Sequence, residues 1–293
     1  MRNIAFLFLC EAFSRTGSIV VLSSMALVGR ELAPHAALAT LPLALAPITT
    51  MLVTVPAARL MQRCGRKVGF ALGAVLGMVG GLVGCAALFN EHFALLCVGA
   101  VGIGAVNGFS TYYRFAAAEV VDESRRSRAI SLVMAGGIVA AVAGSNLASW
   151  SRGLFPEHLF AGSYLAIAGI QVLVLCALSF VHFPAPSVAE SAGGGRSLRE
   201  IARDARFVIA LVGAVASWAV MSLLMNATPL SMHRHLHSFD DTAWVIQWHV
   251  LGMFVPSFFT GHLVSRFGEG RIMASGLLLL ALSAFTNLGG VAL

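Results

Sequence analysis

The sequence predicts an all-α integral membrane protein: a helical bundle with about nine transmembrane helices present, grouped six plus three. Three observations carry that expectation. The 293 residues are 58% hydrophobic and only 11% charged, with a mean hydropathy of +0.86, whereas a soluble domain carries about 25% charged residues. The apolar residues fall in runs of roughly 20, the length a helix needs to cross a hydrocarbon core about 30 Å thick. The cations sit in short clusters between those runs, which is the pattern of membrane topology. Disorder is excluded, because it requires low hydrophobicity and high net charge.

In chain order, the first run covers residues 4–28 and is interrupted by Glu11 and Arg15. Those charges and its length separate it from a signal peptide. The second, 38–58, closes at the basic segment Arg59, Arg63, Arg66 and Lys67. The third, 68–88, carries Gly69, Gly73, Gly77 and Gly81 at four-residue spacing, a stripe that lets another helix approach closely. The fourth, 93–115, ends on Tyr112, Tyr113 and Arg114, and the fifth, 129–150, follows Arg125, Arg126 and Arg128. The sixth covers 160–182, and residues 1–182 are expected to form an N-terminal six-helix bundle. Residues 183–206, FPAPSVAESAGGGRSLREIARDAR, read as a flexible and partly interfacial cytoplasmic linker. Runs 207–229, 242–264 and 272–291 then form a partial C-terminal bundle of three helices within 207–293. Pro56, Pro229 and Pro256 lie near run ends, where they bend helices. Within lipid each segment must satisfy its own backbone, so the runs are helical.

Arginine bookkeeping orients the bundle. With the N-terminus in the cytoplasm, the cytoplasmic segments hold 14 positive side chains and the outer loops three, Arg30, Arg152 and Arg234. That bias places the N-terminus inside a plasma (inner) membrane. Five cysteines, four of them within apolar runs, read as free thiols.

An internal repeat supports the six-plus-three division. Ala58 to Gly65 reads ARLMQRCG and Gly261 to Gly268 reads GHLVSRFG. Leu60, Arg63 and Gly65 recur 203 residues later as Leu263, Arg266 and Gly268, each set joining the second and third runs of its own half. A parallel repeat of six spans has this form. On these residues the chain resembles the major facilitator superfamily, whose hallmark loop between helices two and three, Gly-x-Leu-x-Asp-Arg-x-Gly-Arg-Arg, repeats weakly between helices eight and nine. Arg63, Gly65 and Arg66 match the first copy, and Gly261, Arg266 and Gly268 the second. Both copies lack the acid, which in the family helps a charged latch hold one conformation. Glu119 through Ile130, EVVDESRRSRAI, is similar to the family's loop between helices four and five. The family's arginine of helix four has no counterpart in Leu95 to Gly104. Ser145 follows Gly144 where the antiporter motif has Gly-Pro. The resemblance implies a secondary active transporter, a permease or efflux carrier that moves a small organic solute by alternating access. The family has twelve helices, so the chain is expected to lack spans ten to twelve.

Several residues could carry solute or a coupling ion. Glu11 and Arg15 are four apart, hence on one helix face, and charges at that depth usually face a cavity; a self-neutralising pair that only fixes packing is the alternative. Asn107, Gln171, Asn226 and His249 are polar within apolar runs. Each could bond to a neighbouring helix or meet solute, and an imidazole could carry a proton. Tyr113 and Arg114 suit a membrane interface or a solute gate. His233, His235 and His237 alternate in a loop without supporting Cys or acid, so no metal site is expected. No nucleotide-binding phosphate loop and no zinc-protease motif occur in the sequence, so neither a cofactor nor enzymatic activity is expected. The expected partners are a small-molecule solute, a proton or another ion, and the lipid bilayer, but not nucleic acid. A channel or a receptor-like multi-span protein is the other class. A retinal receptor is excluded because the one lysine, Lys67, lies in a loop.

Overall fold

The computed structural model describes residues 2–183 and 198–288, and among them every regular element is a helix. The helices are α1 (Arg2–Leu32), α2 (Leu41–Cys64), α3 (Arg66–Phe89), α4 (Phe93–Ser110), α5 (Tyr113–Glu119), α6 (Arg126–Met134), α7 (Gly136–Ser151), α8 (Ala161–Ser179), α9 (Leu198–Ile201), α10 (Ala205–Arg234), α11 (Phe239–Phe254), α12 (Ser257–Phe267) and α13 (Glu269–Leu288). Among the described residues, eight segments are long and apolar enough to cross a membrane. The expected run 242–264 is present in two pieces, α11 and α12, interrupted at Val255 and Pro256. The reason is local: a proline ring lacks the N–H and crowds the preceding turn of helix. Pro47, Pro56 and Pro229 stand inside helices, each leaving the carbonyl four residues earlier without its helical N–H donor. Near Pro47, the Thr50 hydroxyl lies 2.9 Å from the Ala46 carbonyl and 2.8 Å from the Gly104 carbonyl on α4. Residues 184–197 of the expected linker lie outside the described residues.

The described chain falls into two compact units. The first holds α1 to α8 together with residues 237–255, which include α11. Here α1 packs on α7 and α8, α3 lies between α4 and α8, α2 covers α4, and α11 packs on α7. Within this unit Gly137 of α7 gives room to the Phe254 ring of α11, so this segment packs with the first six runs. Leu7, Cys10, Met61, Phe70, Phe109, Tyr113 and Val174 lie in one buried core.

The glycine stripe of α3 serves three neighbours rather than one, Gly69 facing Met61 of α2. Gly73 and Gly77 admit Phe109 and Val106 of α4, and Gly81 faces the backbone of Tyr164 and Ala168 on α8. The tightest α3–α4 approach uses Gly80 and Gly84 against Gly99 and Gly102, a set outside the four-residue series read from the sequence.

The second unit holds α9, α10, α12 and α13, with α10 and α12 packed on α13. Gly213 of α10 faces Met273 of α13. Most of its apolar side chains point outward, Trp218 (61% exposed), Leu279 and Phe285 among them, as side chains solvated by lipid would.

Candidate functional site

The first turn-to-turn polar contact on α1 is the one its sequence spacing predicts. Arg15 Nε donates to Glu11 Oε1 at 2.8 Å. The Glu11 side chain is 2% exposed and that of Arg15 33%, so the carboxylate is enclosed and the guanidinium reaches an open face. The burial of Glu11 requires that partner, because an unpaired buried charge is strongly destabilising. One turn further, the Ser18 hydroxyl lies 2.9 Å from Asn107 Oδ1 on α4. Glu11, Arg15, Ser18 and Asn107 therefore form one strip across α1 and α4, half-buried at its last three members. Ser18 was not singled out from the sequence. Its signal was the spacing 11, 15, 18, which keeps a residue on the same helical face.

Gln171 stands in a different setting. It is 1% exposed on α8, its side chain lodged between Gly17 of α1 and Gly77 of α3. Its Oε1, like the hydroxyls of Ser14 and Ser145, has no hydrogen-bond partner among the described residues. His249 of α11 is half-buried and its Nε2 is likewise unpartnered. Asn226 lies half-buried on α10 in the second unit.

Tyr113 and Arg114, adjacent in sequence, part company in the structure. Arg114 is exposed, with its guanidinium 4.9 Å from the Phe115 ring centre. Tyr113 is 1% exposed and packs on Phe70 with centroids 4.4 Å apart. Both stand in α5, where consecutive side chains point about 100° apart around the axis, so one faces the core and the next faces outward. The neighbouring Tyr112 hydroxyl donates to the Thr54 carbonyl at 2.9 Å, fastening the turn at Thr111–Tyr112 to α2.

The two repeated loops share a backbone shape. Gly65 has φ 87° and ψ 157°, and Gly268 has φ 85° and ψ 152°. This is a region open in practice only to glycine. In each loop the glycine N–H closes the preceding helix, onto Met61 O at 3.0 Å and Val264 O at 2.8 Å, carbonyls that are themselves 203 residues apart. Arg63 is exposed in the first loop. Arg266 in the second lies 5.5 Å from the Phe267 ring centre. Gly261 lies within α12.

Arg66 finds an acid despite the acid-free loop. Its guanidinium grips the Glu119 carboxylate with two bonds, Nε to Oε2 at 3.0 Å and Nη2 to Oε1 at 2.5 Å. A second contact is the Tyr112 ring, 5.8 Å from the guanidinium carbon to the centroid. A fork-to-fork pair of this kind fixes geometry as well as charge. The sequence contained both partners, but 53 residues apart, with no local spacing to join them. Among the described residues no group of three His, Cys, Asp or Glu is placed to hold a metal ion.

Comparisons with known proteins agree on one family. The sequence profile of the Major Facilitator Superfamily matches residues 4–286. The riboflavin transporter RfnT of Brucella anthropi is 41% identical over 293 residues, covering 99% of this chain and 73% of that protein. Two uncharacterized MFS-type transporters of Bacillus subtilis, YddS and YdeG, are each 28% identical, over 96% and 95% of this chain and 68% of their own lengths.

Proposed function

The chain belongs to the Major Facilitator Superfamily and is a multi-pass membrane transporter rather than an enzyme, and from that premise we propose that it carries riboflavin, or a flavin of closely related structure, by alternating access. The observation that carries the substrate reading is the 41% identity to a riboflavin transporter along 99% of the chain. The site geometry is compatible with it: polar groups on α1 and α4 reach a half-open face from an otherwise apolar bundle.

In this reading the strip Glu11, Arg15, Ser18 and Asn107 meets solute. Gln171 and Tyr113, both enclosed, set the packing behind it. His249 is the group available to couple transport to a proton gradient. The plasma membrane is the location, with the N-terminus and the α2–α3 loop on the cytoplasmic side, as the distribution of arginines favours. Arg63, Arg66 and Arg266 act at that face on the conformational equilibrium and do not touch solute.

Uptake of labelled riboflavin by cells unable to make or import it tests the proposal. Cells expressing the carrier should accumulate label and show counterflow. Arg15→Lys, which keeps the charge on α1 but loses the planar fork of donors, should express normally and transport poorly. Full uptake by that variant would remove Arg15 from the solute path. Absence of riboflavin uptake by the expressed parent would remove the substrate assignment.

A further inference from the structure

We propose that Glu11 is a specificity-determining residue that makes the solute site electrically neutral, so that the carrier selects uncharged flavin and rejects its phosphate ester. This deepens the riboflavin reading above and rests on it.

The argument begins with what the strip offers a solute. The Arg15 Nε is engaged by Glu11 at 2.8 Å, while its two Nη groups donate to no other side chain or backbone oxygen among the described residues. Asn107 accepts from Ser18 through Oδ1, and its Nδ2 likewise has no acceptor among the described residues. The half-exposed face therefore presents N–H donors from two helices, and its formal charge is zero. Donors without net charge suit carbonyl and ring-nitrogen acceptors, which an isoalloxazine ring carries while remaining uncharged near neutral pH.

A phosphate ester meets a different balance. Moving a dianion out of water is costly unless fixed charge repays it. Arg15 alone could repay part of that cost, but the enclosed Glu11 carboxylate cancels its field at close range. A pair with no net charge gives a dianion little attraction beyond its dipole. The pair thus keeps the planar donor fork of arginine and removes the anion preference that an isolated arginine would confer. An apolar residue at position 11 would pack in the interior of α1 without the desolvation penalty that the acid carries.

Binding of riboflavin and of riboflavin 5′-phosphate to the purified carrier, read by quenching of flavin fluorescence, tests the inference. The parent should bind riboflavin at least ~10-fold more tightly than the ester. Glu11→Gln, which keeps size and hydrogen bonding while leaving Arg15 uncompensated, should narrow that ratio by ~10-fold or more; tenfold corresponds to ~1.4 kcal/mol, which one charge near a phosphate readily exceeds at an effective dielectric of about 20. Glu11→Gln combined with Arg15→Gln, again neutral, should restore the parent ratio, which a merely structural effect of losing Glu11 would not do. Should Glu11→Gln fail to fold, Asn107→Asp, which adds a negative charge to the same face, should widen the ratio instead. Equal binding of the two flavins by the parent overturns the inference, as does a ratio indifferent to both single substitutions. Riboflavin bound with these wrong ratios refutes only the role of Glu11; no riboflavin bound by the parent refutes the flavin reading and this inference with it.

Discussion

Replacing Gly80 by alanine adds one methyl group where the backbones of α3 and α4 cross. A Cβ built on Gly80 would lie 2.8 Å from Gly99 O and Ile103 N and 2.9 Å from the Gly102 carbonyl carbon, all backbone atoms of α4. Backbone cannot rotate away as a flexible side chain can. Restoring contacts of 3.4 Å, where ordinary van der Waals contact begins, means separating α3 from α4 by 0.6 Å along their shared length. Forcing a methyl into a packed contact costs about 1–3 kcal/mol. The same substitution lowers the intrinsic cost of helix by about 0.8–1.0 kcal/mol, so Gly80→Ala alone mixes two opposing effects. Gly169 of α8 separates them: it is an exposed helical glycine with no atom within 4 Å of its would-be Cβ, so Gly169→Ala carries the propensity gain without the clash. The difference between the two variants is then the packing cost, about 1–3 kcal/mol. At about 2 °C per kcal/mol for a chain of this size, Gly80→Ala should melt some 2–6 °C below Gly169→Ala. Scans of the purified carrier in detergent at one fixed heating rate give that difference, with the rate held constant because such unfolding is irreversible. Equal midpoints, or a higher one for Gly80→Ala, would refute the close approach of α3 and α4 at this glycine.

Three further outcomes are expected. Arg66→Glu should reduce transport, and Arg66→Glu with Glu119→Arg should recover part of it; the pair is partly exposed, so its effect on melting is held to about 0.2–1 kcal/mol, and a double variant no better than the single would deny the pair a role. Cys64 is exposed at the end of α2, so with the other four cysteines replaced an impermeant thiol reagent should miss it in sealed cells and label it in lysed ones. Leu154, 62% exposed beyond α7, should show the opposite pattern as cysteine, and a reversal of both results would invert the membrane orientation. At the start of α11, the Ser238 hydroxyl and backbone N–H both donate to Asp241, and they hold its carboxyl below the usual carboxylate range. A depressed native pKa adds stability above the unfolded value near 4 and loses it as pH falls through the native value. The melting difference between parent and Ser238→Ala should therefore be full at neutral pH and shrink in acid; a difference that grows in acid would contradict the cap.

The features legible in the sequence are those that depend on neighbours along the chain. Apolar runs gave the spans because lipid offers the backbone no hydrogen bonds and each run must satisfy itself as helix. The Glu11–Arg15 pair was legible because four residues make about one helical turn. The repeated turn was legible at Gly65 and Gly268 because a φ near +85° excludes nearly every residue but glycine. The break between α11 and α12 stands at Pro256, a residue the sequence marks but whose full effect depends on the surrounding backbone.

Tertiary structure decided what happens between helices. It joined Ser18 to Asn107 across 89 residues and Arg66 to Glu119 across 53. It turned Tyr113 inward while leaving Arg114 exposed. It also chose Gly80 and Gly84, rather than the regular four-residue glycine series alone, for the crossing of the α3 and α4 backbones. The reason is common to all of these. Helical periodicity fixes which residues share a face, but the rotation of each helix about its axis and the height at which it crosses its neighbour are set by how many side chains pack at once. No short stretch of sequence contains that information.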